Sequence, residues 1–364
     1  MSERKLASIR KISDIQPIEG ADLIELAIVD GWKVVVGKEV GHKVGDFVIY
    51  CEVDSFLPIR EEFEFLRKSS YRKMIDQEGF RLKTIKLRGQ VSQGLIIPLS
   101  ILEGEEEDEK LGYLQTPEGP IYQLGPYDGA LAIEEGADVT AMLNIVKWDP
   151  PMPSCLSGVA KGNFPSWGRK TDQERAQNLV SEIGSEISKR SDFEITIKLD
   201  GTSMSVGKNG DDVVVCSRNL ILDMDQEGNT LIDVAKSSGL LDRIGEFGDI
   251  MISGELCGPG IQGNREKLKD HKFFVFDVFD VKSGEYMGYK ERMKIVESLG
   301  LDHVPILHNS IKLDDIGLNT LDDILNYAIG ESLNSSIREG LVFKKIDGSF
   351  SFKAISNEFL LKFE

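Results

Sequence analysis

The sequence predicts an α+β protein in two parts, a small β-barrel followed by antiparallel sheets flanked by helices. Three features carry this reading: short, turn-punctuated apolar runs in the first part, a stiff break at Asp149-Pro150-Pro151-Met152-Pro153, and mixed strand and helix patterns beyond it. Successive prolines exclude both helix and central strand, so the boundary falls there. At 364 residues the chain exceeds one usual core. The expected domains are therefore residues 1–148 and 149–364.

In the first part, apolar runs at 24–28, 32–36, 47–53 and 84–98 read as strands, with Gly31, Gly37, Gly41 and Gly45 marking turns and 60–67 as the one helix-like piece. Short strands closing on themselves around one small helix suggest a barrel of the OB type, with a small unliganded sandwich as the alternative. The segments Glu19-Gly20-Ala21-Asp22 and Lys86-Leu87-Arg88-Gly89-Gln90-Val91-Ser92-Gln93-Gly94 resemble the OB modules of tRNA-binding domains. Residues 103–135 are acidic, glycine-rich and weakly patterned, and are expected to form an excursion from the barrel.

In the second part, 171–190 reads as a helix capped by Thr171 or Asp172. Strands are expected at 195–198, 204–208, 213–217, 250–256, 273–281, 341–346 and 351–355. Further helices are expected near 230–245, 290–299 and 320–333. Asn209-Gly210 and Asp347-Gly348 are hairpin signals.

A net charge of −18 argues against a wholesale basic nucleic-acid binder, because phosphate affinity comes largely from Lys and Arg. Any such surface must be local. Cys51, Cys155, Cys216 and Cys257 lie far apart with no Cys-x-x-Cys pair, so neither a zinc site nor a disulfide framework is expected. A polar N-terminus and the lack of an 18-residue apolar run predict no signal peptide, no membrane span and a cytoplasmic protein.

The most informative run is Lys198-Leu199-Asp200-Gly201-Thr202-Ser203. Phe193, Ile195 and Ile197 alternate with Glu194, Thr196 and Lys198, the period of a half-buried strand that delivers an amine into a cleft. Gly201 lets backbone approach a ligand. A lysine attacks phosphorus only as the free amine, so its pKa must fall by roughly three units, about 4 kcal/mol. One cation about 4 Å away at an effective dielectric near 20 supplies about that much. Carboxylates able to hold such an ion are therefore expected nearby.

The rest of the chain carries suitable partners. Folding back through the first hairpin sets Arg218 roughly opposite Gly201, and the second hairpin makes Glu339 and Lys353 near neighbours. Glu255 interrupts an apolar strand, where a carboxylate needs a ribose hydroxyl, a metal water or an arginine as partner. Asp277 is the exception in the apolar run 273–279, and Phe276 beside it can stack on a purine.

Taken in order, these segments resemble the signature of covalent lysyl-nucleotidyltransferases, with motif I at 198–203, Ia around Arg218, III around Glu255, IIIa at Phe276 and Asp277, IV at 339–342 and V around Lys353. The OB-like part comes first, unlike DNA ligases and capping enzymes. With Lys170-Thr171-Asp172, Glu174 to Asn178 and the closing Ser351 to Asn357, the chain resembles ATP-dependent RNA ligases with an N-terminal OB domain. It differs in having Ile197 before the lysine and Ile355 at the second lysine position of motif V.

The resemblance implies an enzyme that joins RNA 3′-hydroxyl and 5′-phosphate ends in a nicked duplex of RNA or of RNA and DNA, using ATP with Mg²⁺ or Mn²⁺. Lys198 is the implied nucleophile and Lys353 the cation on the α-phosphate. Asp200, Glu255 and Glu339 are implied to hold the hydrated metal, with Glu255 alternatively on the ribose. Arg218 is implied to orient ribose or terminal phosphate, Phe276 to cover adenine, Gly201 to approach the nucleotide, and Arg175 and Gln177 to close the pocket. Lys83, Lys86, Arg88, Arg10 and Lys11 are the basic residues expected to grip the polynucleotide. A DNA ligase and a non-catalytic nucleic-acid-binding protein are the competing readings.

Overall fold

The computed structural model describes residues 5–74, 77–103, 111–116, 119–124, 134–148 and 160–363. The proline break at 149–153 and Cys155 lie outside the described residues, as does much of the acidic excursion. Within that excursion, Leu111–Thr116 and Gly119–Leu124 pair as an antiparallel hairpin, more regular than the weak pattern suggests. The chain divides into two compact units, Met1–Pro151 and Met152–Phe363.

In the first unit one long strand, Ala7–Pro17, organises the barrel. Its first half pairs with Phe47–Cys51 and its second half with Ile24–Val29, with an irregularity between Ile12 and Asp14. Such a bulge bends a strand and lets one sheet curl around a core. The resulting five-stranded sheet is joined by a second sheet of four short strands and by the hairpin Ile85–Leu87 with Gln90–Ser92. Trp32, Tyr50, Phe56, Phe63 and Phe80 fill the interior with almost no exposure. This is an OB-type barrel.

The second unit holds an eight-stranded and a five-stranded sheet, antiparallel apart from one short parallel pair in each. The strand Asp192–Lys198 lies in the smaller sheet and Thr202–Asn209 in the larger. Leu199 to Gly201 is therefore the point at which the chain crosses between sheets. Buried Leu199, Ile195, Ile197 and Phe343 from one side pack in a single core with Cys257 and Phe274 from the other. The crossing is thereby fixed where the two sheets meet.

Three local expectations need correction. The lysine strand is buried on both faces rather than one, with Glu194 and Thr196 each 3% exposed. Glu194 is tolerated there because Arg292 grips both its carboxylate oxygens, at 2.5 and 2.6 Å. Arg292 also donates through Nε to His303 Nε2 at 3.0 Å, so the imidazole carries its proton on Nδ1 and donates to the Val304 carbonyl at 2.7 Å. Burial, with Arg292 beside it, pushes the His303 pKa down to about 4.

Residues 171–190 are not one helix. Glu174–Arg175 is a short strand parallel to Phe352–Lys353, Ala176–Asn178 a 3₁₀ turn, and only Val180–Ser188 is α-helical. The Glu174 carboxylate accepts from the Arg175 amide at 2.8 Å and the Asn178 side chain at 3.0 Å, which favours the turn over a helix. Arg175 and Gln177 consequently sit on a strand and a turn. Similarly the helix expected to reach residue 333 stops at Tyr327, because the buried Arg338 guanidinium donates to the carbonyls of Tyr327, Ala328 and Ile329 and closes its end.

Candidate active site

Lys198 is the last residue of its strand and pairs in register with Gly340, the first residue of Gly340–Lys345. Glu339 immediately precedes that glycine. Its carboxylate therefore comes within 2.8 Å of the lysine Nζ. On the larger sheet, Ser203 pairs with Glu255, and Glu255 Oε1 accepts from the Gly201 amide at 3.1 Å. A Cβ on Gly201 would lie 2.8 Å from Cys257 Sγ and 2.9 Å from Glu255 Cγ, and would collide with the Leu256 carbonyl. Only glycine fits there.

Lys198 and Glu255 feel each other's charge. Burial alone pulls the Lys198 amine down, but the Glu339 and Glu255 carboxylates outweigh it and the net direction is up. Attack on phosphorus needs a depressed value, and the site's own charges act in the opposite direction. Glu255 rises to about 7, chiefly through burial and with Glu339 adding repulsion against Lys198's attraction. Lys353 falls to about 8, chiefly through burial, with Arg175 and Lys198 adding repulsion against Asp172.

Asp172 connects two of the cations. Its Oδ1 accepts from Lys353 Nζ and its Oδ2 from Arg218 Nη2, each at 2.9 Å. Arg218 lies just beyond the strand Asp212–Cys216, about two residues from the position opposite Gly201 that counting from the turn gives. Arg175 is directly in register with Lys353. Gln177 is almost fully buried, and both polar atoms of its amide lack a hydrogen-bond partner among the described residues. Such an amide is costly without a ligand to satisfy it.

Phe276 occupies a register break. Asp277 pairs with Ser253 and Val275 with Gly254, which leaves Phe276 as the extra residue of a bulge. Bulges near active sites re-aim side chains. The Lys344 amine secures this one, donating to the Phe276 carbonyl at 2.9 Å and to Asp277 Oδ1 at 2.6 Å.

Asp200 is engaged by Arg265, whose Nη1 donates to its Oδ2. Among the described residues no three His, Cys, Asp or Glu groups converge closely enough to ligate an ion directly. The donor set, two acidic groups coupled to Lys198 and a third anchored two residues along, fits an ion held through its water shell rather than a direct cage.

Nothing in the local sequence pattern marks Arg265 or the bridging role of Asp172 directly. For Arg265 the available signal was the turn-rich run Gly258-Pro259-Gly260 and Gln262-Gly263-Asn264, which marks a rigid loop directly after Glu255. In the first unit, Arg10 is ion-paired with Asp30 and Lys11 lies 3.8 Å from Glu135, whereas Lys86 and Arg88 are exposed on the hairpin.

A family model described as an OB-fold domain matches residues 6–99, and one described as RNA ligase matches residues 191–356. An apo variant of Naegleria gruberi RNA ligase is 39% identical over 99% of this chain and 98% of its own, with a TM-score of 0.84. The chain belongs to the RNA ligase family. The same Naegleria gruberi ligase with pyrophosphate is 39% identical, at TM-score 0.83, over 98% of both chains. A variant of it with ATP and Mn is 37% identical, again over 98% of both chains, at TM-score 0.82. No curated protein sequence matches this RNA ligase. Among its described residues, no helix is long and apolar enough to cross a membrane.

Proposed function

We propose that this RNA ligase uses ATP to seal nicks in duplexes whose 3′-hydroxyl end is RNA, through lysyl-AMP and adenylylated-RNA intermediates. The observation that carries the reading is the cluster around Lys198, in which a half-buried amine meets two carboxylates while Lys353 and Arg218 share Asp172 and Arg175 stands in register with Lys353. That relatives are solved with ATP and Mn supports ATP as the nucleotide and Mn²⁺ or Mg²⁺ as the ion.

In the first step Lys198 Nζ, having lost its proton, attacks the α-phosphorus; an N–P bond forms and the bond to pyrophosphate breaks. A terminal 5′-phosphate oxygen on the polynucleotide then attacks that phosphorus, the N–P bond breaks and the amine is released. Finally the 3′-hydroxyl oxygen attacks the activated 5′-phosphate, its proton is lost and AMP departs.

Lys353 neutralises charge on the α-phosphate in each transition state. Arg218 orients ribose or terminal phosphate, Phe276 covers the adenine, and Arg175 and Gln177 close the pocket. Asp200, Glu255 and Glu339 would hold the ion's water shell. When bound, the ion supplies positive charge beside Lys198 that offsets the two carboxylates and lowers the amine's pKa. Lys86 and Arg88 on the exposed hairpin are the first-unit residues best suited to meet phosphates.

The test is sealing of one nicked duplex made with either a ribose or a deoxyribose at the 3′ end. Sealing confined to the ribose end supports the proposal. Equal sealing of both identifies a polynucleotide ligase without sugar preference, and RNA binding without sealing of either leaves only a binding module.

A further inference from the structure

We propose that Arg265, carried on a left-handed turn and clamped by the C-terminal helix, is the positioning residue for Asp200 and so sets how tightly the site holds its divalent ion. The inference rests on the metal-dependent transferase reading above.

Asp200 lies two residues after Lys198, and one of its oxygens is committed to Arg265 Nη1. The same nitrogen also donates to the Gln262 carbonyl at 2.7 Å. The guanidinium carbon is 4.5 Å from the ring centre of Phe363 and 5.3 Å from that of Phe359. Both rings belong to the helix Asn357–Phe363, with centres 5.1 Å apart. Planarity suits a guanidinium to this combination of stacking and forked donation.

The loop that carries Arg265 is under strain. Gln262, Gly263 and Asn264 have φ of 43°, 70° and 47°, three consecutive residues in the left-handed region. For the two that are not glycine this costs roughly 1–2 kcal/mol each. Surrounding bonds enforce it: Asn264 donates to the Leu268 carbonyl at 2.9 Å and accepts from the Leu268 amide at 3.0 Å. Next in sequence to Arg265, the buried Glu266 accepts from the Asn334 amide at 2.8 Å and from the Ser332 hydroxyl. Backbone strain that the surroundings over-determine clusters at functional sites.

One oxygen of Asp200 is thus fixed in place, and the other, which has no hydrogen-bond partner among the described residues, is left to receive a metal-bound water. Partners that orient metal-holding carboxylates typically contribute about 10- to 100-fold in metal affinity. The helix Asn357–Phe363 acts on the site through Phe359 and Phe363.

The test measures Mn²⁺ binding in a Lys198→Ala background with saturating ATP, where no adenylate can form, from the paramagnetic resonance signal of free Mn²⁺. Arg265→Gln is expected to weaken binding about tenfold or more. Phe363→Ala, at a residue 36% exposed, is expected to weaken it in the same direction by less, with its unfolding midpoint near that of the parent. A folded Arg265→Gln protein that binds Mn²⁺ as the parent does overturns the proposal. Should Arg265→Gln not fold, unchanged affinity in Phe363→Ala overturns it instead. Absence of ATP-dependent Mn²⁺ binding in the parent overturns the transferase reading, and this inference with it.

Discussion

Lys198 and Glu339 meet across two neighbouring strands, the amine 2.8 Å from a carboxylate oxygen, because Lys198 pairs with the residue after Glu339. The contact favours the protonated amine. Removing that carboxylate should therefore have two opposite effects. In Glu339→Gln, adenylate formation is expected to drop by more than tenfold, while Lys198 becomes easier to modify with an amine-selective acylating reagent at neutral pH. Mass spectrometry of the Lys198 peptide checks the second effect, and unchanged or reduced modification would contradict it.

Glu255 makes stability depend on pH. Its carboxyl is raised from 4.5 to about 7, so the folded chain holds a proton that the unfolded chain releases across that window. Stability contributed at this position is therefore lost as pH rises from about 4.5 to about 7. In EDTA, Glu255→Gln should unfold at higher denaturant than the parent at pH 8, by up to about 3 kcal/mol, and match it near pH 4.5. Equal midpoints at pH 8 would refute this.

Lys353 sets a limit on the alkaline side. With its pKa lowered to about 8, the amine is charged below that value and neutral above it. On the proposed role of Lys353, the positive charge it offers the α-phosphate is lost as pH rises through about 8, and the rate of adenylate formation should fall accordingly. Arginine stays charged throughout this range. The alkaline fall should move to higher pH in Lys353→Arg, whatever that variant's maximal rate, and a pH–rate profile measures it directly.

Gly201→Ala would drive a methyl group against the Leu256 carbonyl, Cys257 and Glu255. The expected cost is about 1–3 kcal/mol of stability, together with a loss of adenylate formation larger than that cost explains. Urea unfolding and a label-transfer assay on the same preparation separate the two.

The Glu194 and Arg292 pair behaves as a buried ion pair, with side chains 4% and 3% exposed. Arg292→Met alone leaves a buried charge unpaired and should cost about 3–5 kcal/mol, whereas Arg292→Met with Glu194→Leu should recover most of it. Unfolding midpoints of the three proteins decide the matter.

Much of the site could be read from local pattern. Alternation around Phe193, Ile195 and Ile197 announced a strand ending in Lys198, and two hairpin turns were enough to bring Arg218, Glu339 and Lys353 toward it. What escaped depends on register and on distant pairing. The bulge that frees Phe276 is a one-residue slip between two strands, invisible in either strand alone. Burial of Glu194 depends on Arg292, far along the chain, and Arg265 reaches Asp200 from a loop with three consecutive left-handed residues. The segment 171–179 looked helical from its composition, but pairing with Phe352–Lys353 overrode that preference.

The most direct measurement is incubation of the intact chain with α-labelled ATP and Mn²⁺ or Mg²⁺, followed by denaturing electrophoresis. Label should remain on the wild-type chain as an acid-labile, P–N linked adenylate and be absent from Lys198→Ala. Equal labelling of both proteins, or labelling of neither, would contradict the assignment of Lys198 as the nucleophile.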